Sequence, residues 1–208
     1  DAHANLTSLE DLVVTAPYPS PHSDIVALIV LEHQTQMHNA IAWANYESRC
    51  AVHQSEIMNR ALERPAEHLS ESSRRRIERE ANRVIEYLLL CDEFPLTSPV
   101  KGTSSFAKDF QSRGIRDSLG RSLRDFDLET RMFRYPCSYM IYSDAFEGLP
   151  GNIRHKILTL LNRILDGDVA DEKAEKYSHL SEVDRQNIKQ ILLATKPEFT
   201  ALIEGAVQ

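Results

Sequence analysis

Apolar positions recur with a helical period along most of the chain, and no stretch alternates convincingly with the two-residue period of a sheet. The longest pattern begins with seven unbroken apolar residues, Ile25 to Leu31. Glu32, His33, Met37 and His38 follow within the same predicted helix. No Gly or Pro interrupts it before about Arg60, and Ser23 or Asp24 can cap its start. A second helix is expected from about Ser70 to Leu90. Its first half is densely charged (ESSRRRIEREANR) and its second half apolar (VIEYLLLC), so it emerges from solvent and enters the core at its C-terminal end. The stretch 92–105, with two prolines and a glycine, reads as a loop. A short helix over Phe106 to Gln111 follows. Pro136 is placed to start a helix over CSYMIYSDAF. Ile153, Ile157, Leu160, Leu161, Ile164 and Leu165 then share a helical face, which Gly167 stops. Ser181 and Asp184 stand in capping-box positions before Ile188, Ile191 and Leu192, and Pro197 ends that helix.

These elements predict an all-α, single-domain, irregular helical bundle of four to five main helices with long loops. Three prolines at alternate positions make residues 1–22 an extended, Pro-rich lead-in. The helical domain runs over 23–197, and 198–208 is a C-terminal tail. The 208 residues suit one core rather than two. Net charge is −7, which argues against non-specific nucleic-acid binding. The apolar run is far too short to span a bilayer. The chain opens Asp-Ala-His, as expected where an N-terminal segment has been removed or where the chain is part of something longer.

Helix geometry sorts the polar set of the first helix. At about 100° per residue, Ile29, His33, Met37 and Ile41 form one row, and Leu28, Glu32, Gln36 and Asn39 its neighbour. His38 points about 140° away from His33, so the two cannot easily bind one ion from this helix alone. The plainest reading makes His33 and Met37 core residues, the imidazole satisfied by a carbonyl or by Glu32. Sharper readings are a copper site, which imidazole with thioether suits, or a haem contact with His33 as its one ligand or edge neighbour. A di-metal carboxylate centre wants Glu-x-x-His on two helices, and His53-Gln-Ser-Glu56 has the reverse order.

Six arginines, Arg113, Arg116, Arg121, Arg124, Arg131 and Arg134, interleave with Asp117, Asp125, Asp127 and Glu129. Internal salt bridging explains such a segment. So does anion recognition, because a guanidinium pairs a carboxylate bidentately; haem propionates or an acidic patch on a partner both qualify. RYPCSYMIYSDAFEGLP is rich in Tyr and Met, which fill an irregular core or line a flat ligand. Cys50, Cys91 and Cys137 are too few for a disulfide scaffold; one disulfide or three buried thiols are both open. Cys137 lies beside Pro136, where a helix start can lower a thiol pKa, but a structural thiol is the better reading. The chain contains no Cys-x-x-Cys-His, Gly-x-Ser-x-Gly, His-Glu-x-x-His, Walker loop or dinucleotide fingerprint.

Three phrases, ALIVLEHQTQMHN, GRSLRDFDLETRMFRYPCSYMIYSDAFEGLP and LSEVDRQNIKQILLATKP, together resemble an uncharacterised bacterial domain of exported proteins. The N-terminal part of those proteins carries a c-type cytochrome motif. The likeness covers about Ser23 to Pro197. It implies an exported, periplasmic location and a c-type haem nearby, on a preceding segment or on a partner chain. On that reading the domain is accessory to electron transfer. His33 ligates or touches the haem with Met37 beside it, Glu32 and His38 stand behind, and Arg121, Arg124, Arg131 and Arg134 meet the propionates or the partner. The alternatives are a structural subunit of a larger assembly, supported by a first helix that needs cover on most sides, and a copper or di-metal enzyme.

Overall fold

The computed structural model describes residues 6–169 and 174–205. Among them the architecture is all-α: seven α-helices, two 3-10 turns, and no strand beyond two isolated bridges. The helix count exceeds the expected four to five main helices because two short helices, Phe106–Ser112 and Asp144–Glu147, add to it and a further one, Pro197–Gly205, forms where a tail was expected.

Helix α1 (Ile25–Ala61) is the spine, 37 residues long. Asp24 caps it, accepting from the Val26 and Ala27 N–H groups at 2.9 and 3.2 Å. The same carboxylate accepts from the Ser104 N–H at 3.0 Å and from the Ser104 hydroxyl. This pins the 92–105 loop to the helix start. Gly102 is required there, since a Cβ would lie 2.9 Å from the Asp24 carboxylate.

Helix α2 (Glu71–Leu88) is capped by Ser70 and runs back along α1. Ser73 meets Ser55, hydroxyl to hydroxyl at 2.9 Å, and Arg76 pairs with Glu47 further back along α1. Small residues make this close approach possible: Ala40, Ala44, Ser48 and Ala51 are buried on α1, and Ala81 on α2. The apolar second half of α2 enters the core through Val84, Ile85 and Leu88, as its pattern requires.

After α3 (Phe106–Ser112) the chain runs irregularly to residue 138, tied together by an antiparallel bridge between Phe126 and Phe133. Pro136 does not open the next helix. The Ser138 N–H donates to the Leu88 carbonyl at 2.7 Å, which holds Ser138 extended. The helical turn is therefore delayed to a 3-10 segment, Tyr139–Tyr142, followed by the single turn α4 (Asp144–Glu147). Helix α5 (Gly151–Leu165) packs on α2, and Gly167 past its end takes φ +75°, the left-handed stop expected of it. Helix α6 (Glu182–Thr195) begins with the expected Ser181–Asp184 capping box.

Two boundaries differ from expectation. Pro197 starts a further helix, α7 (Pro197–Gly205), whose Phe199 is fully buried, so this part of the expected tail belongs to the core. The lead-in is not extended. The Leu9 N–H donates to the Pro21 carbonyl at 2.8 Å, and Ser8 bridges His22, so the segment doubles back on itself. Residues 1–5 of that lead-in and 206–208 of the tail lie outside the described residues.

Candidate functional site

Two features stand on the side of α1 that faces the 113–145 segment: a buried imidazole and an open, arginine-lined cleft. His33 is only 9% exposed, and its Nε2 lies 2.7 Å from the Ser138 hydroxyl. Ser138 Oγ also accepts from the Met140 N–H at 3.2 Å. Either tautomer of the neutral imidazole satisfies this contact, Nε2 accepting from the hydroxyl or donating to it. Phe133 meets the imidazole edge-on, with ring centroids 5.8 Å apart. Burial pushes the His33 pKa down to about 4, so the ring is neutral near pH 7.

Met37, one turn on, is fully buried in the core. Glu32 is exposed and is not the partner of His33; that role falls to Ser138, 105 positions away. His38 is exposed and faces the arginine-lined cleft, apart from His33, as the helical angle requires.

The arginines divide. Arg121 is clamped by Asp117 at 2.7 Å and by Asn187 and Gln190 of α6 at 2.7 and 3.0 Å. Arg131 pairs with Asp184, the capping-box residue of α6, at 2.8 Å. Arg116 makes a two-pronged pair with Asp125 at 2.9 and 3.3 Å. These three are internal salt bridges that fasten the irregular segment. Arg134 is exposed. Arg124 is different. Its guanidinium lies 4.7 Å from the Phe110 ring centre and 4.6 Å from that of Tyr139.

Beneath Arg124 is an aromatic stack. Phe110 stacks on Phe126 at 5.1 Å, Phe126 on Phe133 at 5.5 Å, and Tyr139 stands edge-on to Phe110 at 4.9 Å. The Tyr139 hydroxyl donates to Gln34 on α1 at 3.1 Å. Gly114 lets this wall close up: a Cβ there would sit 2.2 Å from the Ser122 hydroxyl and 3.2 Å from the Arg124 Cβ. Gln34, Phe110, Arg124 and Tyr139 border a cleft of about 620 Å³ between α1, α3 and residues 113–145.

Cys50, Cys91 and Cys137 are all free thiols. Burial raises the Cys137 thiol to about 12, opposite to the effect of a helix start, because no helix starts there and the side chain is fully enclosed. Burial, helped by Glu86, also raises Cys91 to about 12.

Among the described residues, no three His, Cys, Asp or Glu side chains gather as a metal-ligand set. The residues expected around a haem do not surround one flat ligand either. His33 and Met37 face the core, Arg121 and Arg131 are closed by carboxylates, and Arg124 borders a separate cleft. No reaction step through a haem is therefore assigned to this chain. Sequence reading missed Phe110, Gln34 and Ser138. The spacing of Phe106 and Phe110, four apart on a helix, was the one available signal for the aromatic platform. Ser138 gave none, because its partner is remote in sequence. Neither a family model, nor a curated protein, nor a solved structure matches this chain.

Proposed function

We propose that this chain is an accessory domain that docks onto a larger assembly through the outer face of α1. The observation that carries this reading is that face itself. Leu28, Leu31, Thr35, Asn39, Ala42, Trp43 and Tyr46 are all exposed and lie within an arc of about 120°. Leu31 is 58% exposed, Trp43 48% and Tyr46 59%. None of the seven is charged; the exposed Glu32 lies within the same arc and is its one acid between Leu28 and Tyr46. Large apolar and aromatic groups with few charges are the composition of an interface centre. A lone exposed leucine needs no explanation, but an aligned row of this kind does.

The resemblance to a cytochrome-linked exported domain supplies the partner class: a c-type haem chain, in the periplasm, that holds its haem with its own ligands. This domain then contributes to electron transfer by positioning, with His33 and Met37 supporting α1 from behind. The test is a paired substitution, Leu31→Glu with Trp43→Glu, in the chain expressed at its native level. Size-exclusion light scattering of the native extract reads the assembly, and the thermal melt reads the fold. The variant is expected to leave the assembly with its melt unchanged. A variant that stays in the assembly, or a wild-type chain that runs as a free monomer, overturns the reading.

A further inference from the structure

The Arg124 cleft lies on a different side of α1 from the docking face and is independent of it. Arg124 is half-buried, and burial disfavours its charged form, while the nearby Arg113 adds like charge. Among the described residues its guanidinium has no ion pair, and it lies against the rings of Phe110 and Tyr139; the Asp144 carboxylate lines the same cleft without pairing with it. None of its nitrogens is sealed from solvent without a partner, in contrast to Nε of Arg131. Its guanidinium thus packs against two aromatic faces while its donors stay accessible at the cleft. Arg116, Arg121 and Arg131 are spent on carboxylates, and of the three arginines left without one Arg124 alone lies against two aromatic rings.

We propose that the cleft binds an organic carboxylate, with the carboxylate on Arg124 and an apolar body against the aromatic wall. A planar carboxylate matches the guanidinium fork, and the two N–H···O bonds fix its orientation. Arg113 and His38 stand at the same cleft and add donors at its border, and Arg113 adds positive charge. The apolar lining from Phe106, Phe110 and Ile115 favours a ligand with a hydrocarbon or aromatic body over a small, fully hydrated anion such as phosphate. The volume of about 620 Å³ lies in the range of small-molecule sites.

The test is calorimetric titration of the full chain with benzoate, hexanoate and inorganic phosphate. Wild type, Arg124→Gln and Arg113→Gln are compared, with thermal melts as the check on folding. At least one of the two carboxylates is expected to bind saturably and to weaken as salt is added. Arg124→Gln should lose on the order of tenfold or more in affinity, as expected for a lost charge-assisted pair. Arg113 is exposed and without ion pairs among the described residues, so Arg113→Gln keeps the fold and should weaken binding by a smaller factor. If Arg124→Gln unfolds, the Arg113→Gln result and the salt dependence decide. The proposal is overturned if neither carboxylate binds wild type, if phosphate binds and the carboxylates do not, or if both variants bind as tightly as wild type.

Discussion

His33 on α1 and Ser138 at the start of the 3-10 turn, 105 positions apart, share a 2.7 Å hydrogen bond inside the core. This bond joins the spine to the irregular segment that carries the arginines. Around it, Ser138 also ties to the end of α2 through the Leu88 carbonyl. One residue therefore fixes three parts of the fold relative to one another. The role of His33 is to be a neutral, satisfied core group, and the chemistry that its sequence position invites is displaced to Arg124.

The pH dependence of stability follows from the burial of that imidazole. The folded pKa of His33, about 4, lies below its ordinary 6.5. Between those values the unfolded chain binds a proton that the folded chain does not, so stability is full above about 6.5 and falls as pH drops towards about 4. The loss reaches about 3 kcal/mol at most. Urea unfolding at a series of pH values should show this slope, and His33→Phe should flatten it. Ser138→Ala, which leaves the imidazole without its partner, should cost about 1–3 kcal/mol near neutral pH. An unchanged slope in His33→Phe would assign the acid sensitivity to other groups.

The close seam between α1 and α2 makes a second expectation. Ala51 is fully buried, and its carbonyl accepts from Ser55 at 2.9 Å and from Ser73 at 3.4 Å. A larger side chain there must push the helices apart. Ala51→Leu is expected to destabilise by about 1–3 kcal/mol or more, read as a lower denaturation midpoint. Ile57→Ala, at an exposed position on the same helix, should stay within about 0.5 kcal/mol.

Much of this fold is legible in the sequence. The first helix, its Asp24 cap, the amphipathic second helix and the Ser181–Asp184 box all rest on local spacing and local capping. The failures were non-local. Pro136 looks like a helix start until the Leu88 carbonyl claims the Ser138 N–H, and residues 198–205 look like a tail until Phe199 finds the core. The candidate site was half legible for the same reason. Spacing alone separates His38 from His33, but it cannot say which arginines are closed by acids and which, like Arg124, lie against aromatic rings. That depends on the contacts of Arg121 with α6 and of Arg131 with Asp184, across 66 and 53 positions.

The thiols should react in a fixed order. Cys137 is sealed in the core and Cys91 is largely enclosed, both with thiols raised to about 12, so neither forms thiolate readily. Cys50 is half-buried on α1. Timed alkylation read by mass spectrometry is expected to label Cys50 first and Cys137 only after denaturation. Rapid labelling of Cys137 in the folded chain would contradict the packing around Ser138.

The docking face can be read directly through its own aromatic, because Trp43 is the single tryptophan of the chain. In the isolated domain Trp43 is about half exposed beside Tyr46, with ring centroids 5.9 Å apart. Fluorine NMR of the chain labelled with fluorotryptophan, recorded alone and then within its native assembly, reports whether that ring is covered. Docking through α1 predicts a shifted resonance that no longer responds to a soluble paramagnetic quencher. An unshifted resonance that is quenched equally in both states would contradict it.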